Sequence, residues 1–90
     1  MLYILEFSTP MHHAKYYVGW TKNLGKCLEH HKKGQGASIT RAVIKSGRKL
    51  NLVFAATVDR KIESRIKKQK NTPRLVEKIR AGKLPAYLLD

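Results

Sequence analysis

The sequence is short of acid. Only 6 Asp and Glu residues stand against 19 Lys and Arg in 90 residues, a formal net charge of +13. A two-metal phosphodiesterase site, which gathers several carboxylates in one place, has too little to build from here. The single cysteine, Cys27, can form no internal disulfide, so nothing points to an oxidising compartment. No stretch comes near the roughly 18 apolar residues that a membrane span requires. The apolar run at residues 2–7 is shorter than a secretory h-region and contains Glu6. A cytoplasmic protein with no membrane-embedded part is therefore expected. Repeats, low-complexity segments and linkers are also missing, and 42% apolar residues in so short a chain suffice for one modest core. The expectation is a single domain over residues 1–90.

What is abundant is positive charge. A chain this small with such an excess repels itself, which makes sense if its partner carries the opposite sign. Nucleic acid is the first such partner and an anionic membrane surface the second. A merely basic, soluble surface is the plain alternative.

Residues 2–7, rich in aromatic and branched side chains, read as a strand, and residues 15–20 as a second. Pro10 and the Met11-His12-His13-Ala14 segment read as a long hairpin tip between them. Asn23 is a suitable N-cap and Gly34 a suitable C′ residue for a helix in which Leu24, Cys27, Leu28 and His31 share one face. Residues 37–45 read as a short helix closed by Ser46-Gly47, and residues 50–57 as a third strand. Asp59 can cap a helix over residues 60–69, with Val58, Ile62 and Ile66 on its buried side. Thr72-Pro73 reads as a cap followed by proline at the first position of a last helix that runs to Gly82. The order β-β-α-α-β-α-α predicts an α+β fold, a small three-stranded antiparallel sheet flanked by helices.

Among the six carboxylates, Glu63 is singular because it lies on a helix crowded with Arg60, Lys61, Arg65, Lys67, Lys68 and Lys70. It could hold a hard cation together with waters and a substrate phosphate, or simply pair with Lys67 at i+4. Tyr3 and Tyr17 on adjacent strands could bring two phenols to one spot, where a phenol can act on a metal-bound water or relay its proton. Tyr16 reads as a core filler. His12-His13 is a weak metal signal, and Cys27 with His31 at i, i+4 is better read as a thiol packed beside a hydrogen-bonded imidazole than as a zinc site.

Met1-Leu2-Tyr3 and Tyr17-Val18-Gly19, the ordered run Tyr17-x-Gly19-x-Thr21-x-Asn23-Leu24, then Leu28, His31, Gly34-x-Gly36-Ala37 and Glu63-x-x-x-Lys67-Lys68, together resemble the GIY-YIG endonuclease superfamily. The segment from Ile66 to Leu75 is similar to the stretch that follows in small stand-alone bacterial members. The likeness covers residues 1–78, and the ordered set is far more specific than either tripeptide. It implies DNA hydrolysis assisted by a single Mg²⁺ or Mn²⁺ ion. Carried over, Tyr17 would orient or deprotonate the attacking water, Tyr3 would assist, Glu63 would hold the ion, and His31 would contribute to the site. The chain departs from the family at Cys27, where an arginine clamps the scissile phosphate. A thiol cannot donate a bidentate pair of hydrogen bonds to phosphate. Losing such a clamp could cost on the order of 10²- to 10³-fold in rate. Lys26 and His30 are expected to point about 100° away around the helix. Recruitment of another cation such as Arg41, slow cutting, and loss of cutting all stay open.

DNA, branched or otherwise structured, is thus the expected partner, with a protein partner or a homodimer left open. Lys26, Lys32, Lys33, Arg41, Arg60, Arg65, Lys67, Lys68 and Lys70 are the expected contacts to the nucleic acid, and the cations of residues 60–70 with Lys22, Lys26, Lys32 and Lys33 could flank one groove. A catalytically silent DNA-binding module on the same fold is the alternative that best explains Cys27. A basic RNA-binding protein fits the composition but leaves the ordered tyrosine, glycine and glutamate pattern unexplained.

Overall fold

The computed structural model describes residues 1–11, 14–85 and 88. Its elements run β1 (Leu2–Met11), β2 (Ala14–Trp20), α1 (Leu24–Lys32), α2 (Ser38–Lys45), β3 (Leu50–Ala56), α3 (Lys61–Gln69) and α4 (Thr72–Arg80). The strands form one antiparallel sheet in the order β2-β1-β3, with Tyr3 opposite Gly19 and Leu5 opposite Tyr17. This is the expected α+β architecture.

β1 is the central strand and helices pack on both faces of it, which explains why its first half is apolar without alternation. Leu2 and Ile4 face one layer with Val18, Ile66 of α3, and Leu75 and Val76 of α4. Tyr3, Leu5 and Phe7 face the other layer with Val43 of α2 and Leu50, against which Leu24, Cys27 and Leu28 of α1 pack. The phenol of Tyr3 therefore grows out of the core itself. Val53 is an extra residue on β3, since Leu5 pairs with Leu52 and Ile4 with Phe54.

The helix ends follow from the sequence. Asn23 accepts a hydrogen bond from the Lys26 amide (3.1 Å). At the other end of α1 the amides of Gly34 and Gln35 donate to the carbonyls of His31 and His30, a Schellman closure that needs Gly34 at φ +75°. That closure sets the last turn of α1, and with it His31. Asp59 Oδ1 accepts from the Lys61 amide (2.8 Å), but the regular helix begins one residue later than expected, with Arg60 rather than Asp59 in the cap position.

Two expectations need correction. Pro10 and Met11 are not loop: β1 continues through them and Met11 pairs with Ala14. Ladder pairing with β3 ends at Phe7, and the last backbone bond on that side runs from the Ser8 amide to the Lys49 carbonyl, so a proline without an N–H is tolerated at position 10. The loop reading for His12-His13 falls outside the described residues. Thr72 is not the cap of α4 but its first residue, with Asn71 in the cap position and Pro73 in the first turn. First-turn amides have no intrahelical partner, so proline is harmless at any of these positions.

Glu6 ties α4 to the sheet. Its carboxylate accepts from Arg80 (3.0 Å) and from the Tyr16 hydroxyl (3.3 Å), with Lys15 at 3.7 Å. The Arg80 contact, ahead of Tyr16 and Lys15, holds the Glu6 carboxyl below its ordinary pKa of 4.5. A depressed carboxylate contributes stability that is present above the unfolded value and is lost as pH falls through the folded one. In Arg80→Ala, a proton titration followed by NMR should show Glu6 moving back toward 4.5 and the acid limb of the stability curve becoming shallower. An unchanged Glu6 titration would remove this explanation.

Candidate active site

The site is built where β1, β2 and the C-terminal turn of α1 meet. Tyr3 and Tyr17 lie on the same face of neighbouring strands, with ring centroids 6.2 Å apart. His31 stands over both, 5.8 Å from Tyr3 and 5.4 Å from Tyr17. The Tyr3 oxygen is 2.8 Å from His31 Nε2 and accepts from the Cys27 thiol at 3.1 Å. On its far side His31 Nδ1 lies 2.9 Å from the hydroxyl of Thr40, which donates to the carbonyl of Ala37 at 2.8 Å. Tyr3, His31 and Thr40 are all buried.

Two glycines make this closeness possible. A Cβ on Gly19 would overlap the end of the Tyr3 ring, and a Cβ on Gly36 would overlap the His31 imidazole. The glycine of the Tyr-Val-Gly tripeptide is therefore required by a ring on the neighbouring strand. The second glycine of the Gly34-x-Gly36 pair is required by the imidazole behind it.

Burial shifts these groups toward their neutral forms. The Tyr3 phenol is pushed far above its usual value, chiefly by burial and then by its hydrogen bond with Cys27. Tyr17 is raised by burial first and by the charge of Glu63 next. His31 is held below 6.5, mainly by burial and then by the charge of His30. Near pH 7 the cluster is thus a pair of phenols and a neutral imidazole.

An open cleft of about 520 Å³ lies in front of the cluster, lined by Tyr17, Thr21, Asn23, Lys26, Cys27, His30, His31, Gln35, Gly36 and Ala37. Tyr3 is not on this wall; it sits behind Tyr17 and Cys27. Lys26 and His30, expected to point away, do line the cleft, because it wraps around the exposed flank of α1 rather than meeting one stripe of it. Arg41 is exposed on α2 and does not line it. Cys27 faces the phenols, so the thiol stands in the midst of the site.

Glu63 approaches from α3, which packs against β2. Lys67, one turn further along, lies 5.4 Å above the Tyr17 ring and 4.0 Å from Glu63 Oε2. The Glu63 side chain is 19% exposed. Among the described residues no three His, Cys, Asp or Glu side chains converge. One half-buried carboxylate on the helix beside Tyr17 suits a hard cation that takes its other ligands from water and phosphate, and suits zinc poorly.

The remaining cations do not flank one groove. Lys61, Arg65 and Lys68 line a separate hollow on the outer side of α3 with Ser64 and Gln69. Arg60 lies over the Trp20 ring (5.9 Å), and Lys33 pairs with Glu29 (3.3 Å). Lys32 borders a hollow behind His31, between Leu28 and β3. Lys70 is exposed at the end of α3, in a left-handed conformation at φ +50°. Lys67 differs from these cations in lying beside both Glu63 and the Tyr17 ring.

Thr40, Gly19 and Gly36 escaped the reading of the sequence as site residues. Thr40 carried a signal, since it occupies a position on the apolar stripe with Val43 and Ile44 where a hydroxyl needs a buried partner.

The family model of the GIY-YIG catalytic domain matches residues 1–78. Among curated proteins and among solved structures, nothing matches the chain. The matched span takes in β1 through most of α4, and with them every residue of the phenol–imidazole cluster and Glu63.

Proposed function

The chain belongs to the GIY-YIG catalytic-domain family of nucleases, and from that premise we propose that it is a metal-dependent endonuclease that hydrolyses a DNA phosphodiester bond. The observation that carries this reading is the convergence of Tyr3, Tyr17 and His31 at one cleft, with Glu63 on the adjoining helix and Lys26, His30 and Lys67 around them.

Tyr17 is the phenol on the cleft wall and meets the attacking water. Tyr3, behind it, is held by His31 and Cys27 and sets the hydrogen-bonding environment of the site from below. Glu63 would hold a single Mg²⁺ or Mn²⁺ ion. When bound, the ion would supply positive charge to the scissile phosphate and offset the Glu63 charge that, after burial, raises the Tyr17 phenol. Lys26 and His30 meet the DNA backbone at the cleft, and Lys67 beside it. The exposed cations of α3 extend that contact along a structured or branched substrate. The protein works in the cytoplasm as one nuclease-type domain.

A cleavage time course on branched, flapped and nicked DNA with Mg²⁺ or Mn²⁺ tests the proposal. Wild type should cut, and Tyr17→Phe should bind the same DNA without cutting. Cutting by Tyr17→Phe at the wild-type rate would remove Tyr17 from the mechanism. Cys27 favours a second reading, a DNA-binding module without turnover, because a thiol occupies the position nearest the phenols where a cation could grip the phosphate. That reading expects binding and no product with either metal.

Binding has its own test. If about six of these cations touch phosphates, affinity should fall with salt at a log–log slope of roughly −5. A slope near zero would defeat the electrostatic argument, and tighter binding to structured RNA than to DNA would point to RNA as the ligand.

A further inference from the structure

Thr40 touches neither the cleft nor either phenol, yet it controls what the imidazole offers them. Its hydroxyl has one proton, and that proton is given to the Ala37 carbonyl at 2.8 Å. The same oxygen lies 2.9 Å from His31 Nδ1 and can therefore only accept there. Nδ1 must then carry the imidazole proton, and Nε2 is bare. A bare Nε2 at 2.8 Å can only accept from Tyr3, so the phenol proton points at His31. The Tyr3 oxygen is left with its lone pairs turned outward, where it accepts from the Cys27 thiol. Every link runs one way, from the thiol through the phenol and imidazole to a backbone carbonyl at the start of α2.

We propose that Thr40 is a positioning residue of the site: by committing its hydroxyl to Ala37 it locks His31 in the Nδ1–H tautomer and so fixes the direction of the whole hydrogen-bond chain beneath Tyr17. In water the Nε2–H tautomer of imidazole is the commoner form, so the locked state differs from the default. With the default tautomer, Nε2–H would donate to Tyr3, the phenol proton would turn away from His31, and the direction of the chain at Tyr3 would reverse. Gly36 completes the lock, because its missing Cβ leaves the imidazole room to lie against the α1–α2 turn. Burial of Thr40 and His31 keeps water from substituting for the hydroxyl. The tautomer follows from the contacts alone, whereas its effect on rate rests on the nuclease reading above.

The test is ¹⁵N NMR of the histidine rings at neutral pH in wild type, Thr40→Val and Thr40→Ser, with DNA cleavage measured beside it. Wild-type His31 should show a protonated Nδ1 and a bare Nε2. Thr40→Val, of nearly the same shape, should shift His31 wholly or partly to Nε2–H. It should also slow cleavage at saturating DNA by about 10- to 100-fold, the scale of losing an outer partner of a functional histidine. DNA affinity should stay within about two-fold, since Thr40 is off the cleft. Thr40→Ser keeps the hydroxyl and should keep both the tautomer and the rate, even if loss of the methyl lowers stability. An Nε2–H tautomer in wild type, or an unmoved Nδ1–H in folded Thr40→Val, would overturn the lock. A shifted tautomer with an unchanged rate would overturn the positioning role. If wild type does not cut DNA at all, the nuclease reading fails, while the ring spectra of wild type still decide the lock.

Discussion

Glu63→Ala should stop cleavage, with a loss on the order of 10³-fold or more, while DNA binding is kept or becomes slightly tighter. The size of the effect follows from scarcity. The chain has six acidic side chains, and Glu6 is committed to Arg80 at the opposite face of the sheet while Glu29 is paired with Lys33 at the surface. Among the described residues Glu63 is the carboxylate whose charge acts on both phenols. Among those residues no second carboxylate joins it to take over a metal ion, and transition-state charge stabilisation of this kind is worth about 10²- to 10³-fold even for a single hydrogen-bond donor. Binding should not suffer, because removing a negative charge near the DNA backbone relieves repulsion and releases Lys67 from its 4.0 Å partner. A second readout is independent of turnover. Glu63 raises the pKa of Tyr17, so Glu63→Ala should lower the ultraviolet titration midpoint of that phenol. Normal cleavage by Glu63→Ala would eliminate the one-metal mechanism, and an unmoved Tyr17 would place the carboxylate too far away to matter.

Gly19→Ala is the second large effect, and it arises from packing. The added methyl meets the end of the Tyr3 ring, which is 2% exposed and pinned by His31 and Cys27. Tyr17 and His31 flank the ring, 6.2 and 5.8 Å away between centroids. Overpacking a core position costs about 1–3 kcal/mol. The displaced ring should also break its 2.8 Å contact with His31, so cleavage should fall by about 10-fold or more, as when a positioned group in an active site is moved by an ångström. A double-mutant cycle with Tyr3→Ala separates cause from coincidence. The penalty of Gly19→Ala should nearly vanish where the ring is already gone. Equal penalties in the two backgrounds would mean that the methyl meets something other than Tyr3.

Both variants bear on what was legible before any coordinates. The helix ends could be read from the sequence because capping is local chemistry: Asn23 with the Lys26 amide and Gly34 with its positive φ involve residues a few positions apart. Where the local rules allow several positions, as for Pro73 within the first turn of α4, the boundary slipped by a residue. The strand status of Pro10 was hidden because it depends on pairing with β3 stopping at Phe7, more than forty residues away along the chain.

The sequence by itself determined a large positive charge, a shortage of carboxylates to gather at one site, and the order in which Tyr3, Tyr17, His31 and Glu63 follow one another. Charge, composition and order are properties of the chain whatever its shape. Tertiary structure alone decided which cations share the cleft. Lys26 and His30 line it and Arg41 does not, while α3 divides its lysines and arginines between two sides. It also decided that Thr40 fixes His31, and that Gly19 and Gly36 are empty because a ring from another element fills the space. These facts concern groups brought together across turns and strands, with Tyr3 and His31 twenty-eight positions apart. Periodicity along one element carries no information about the side chain that arrives from the next.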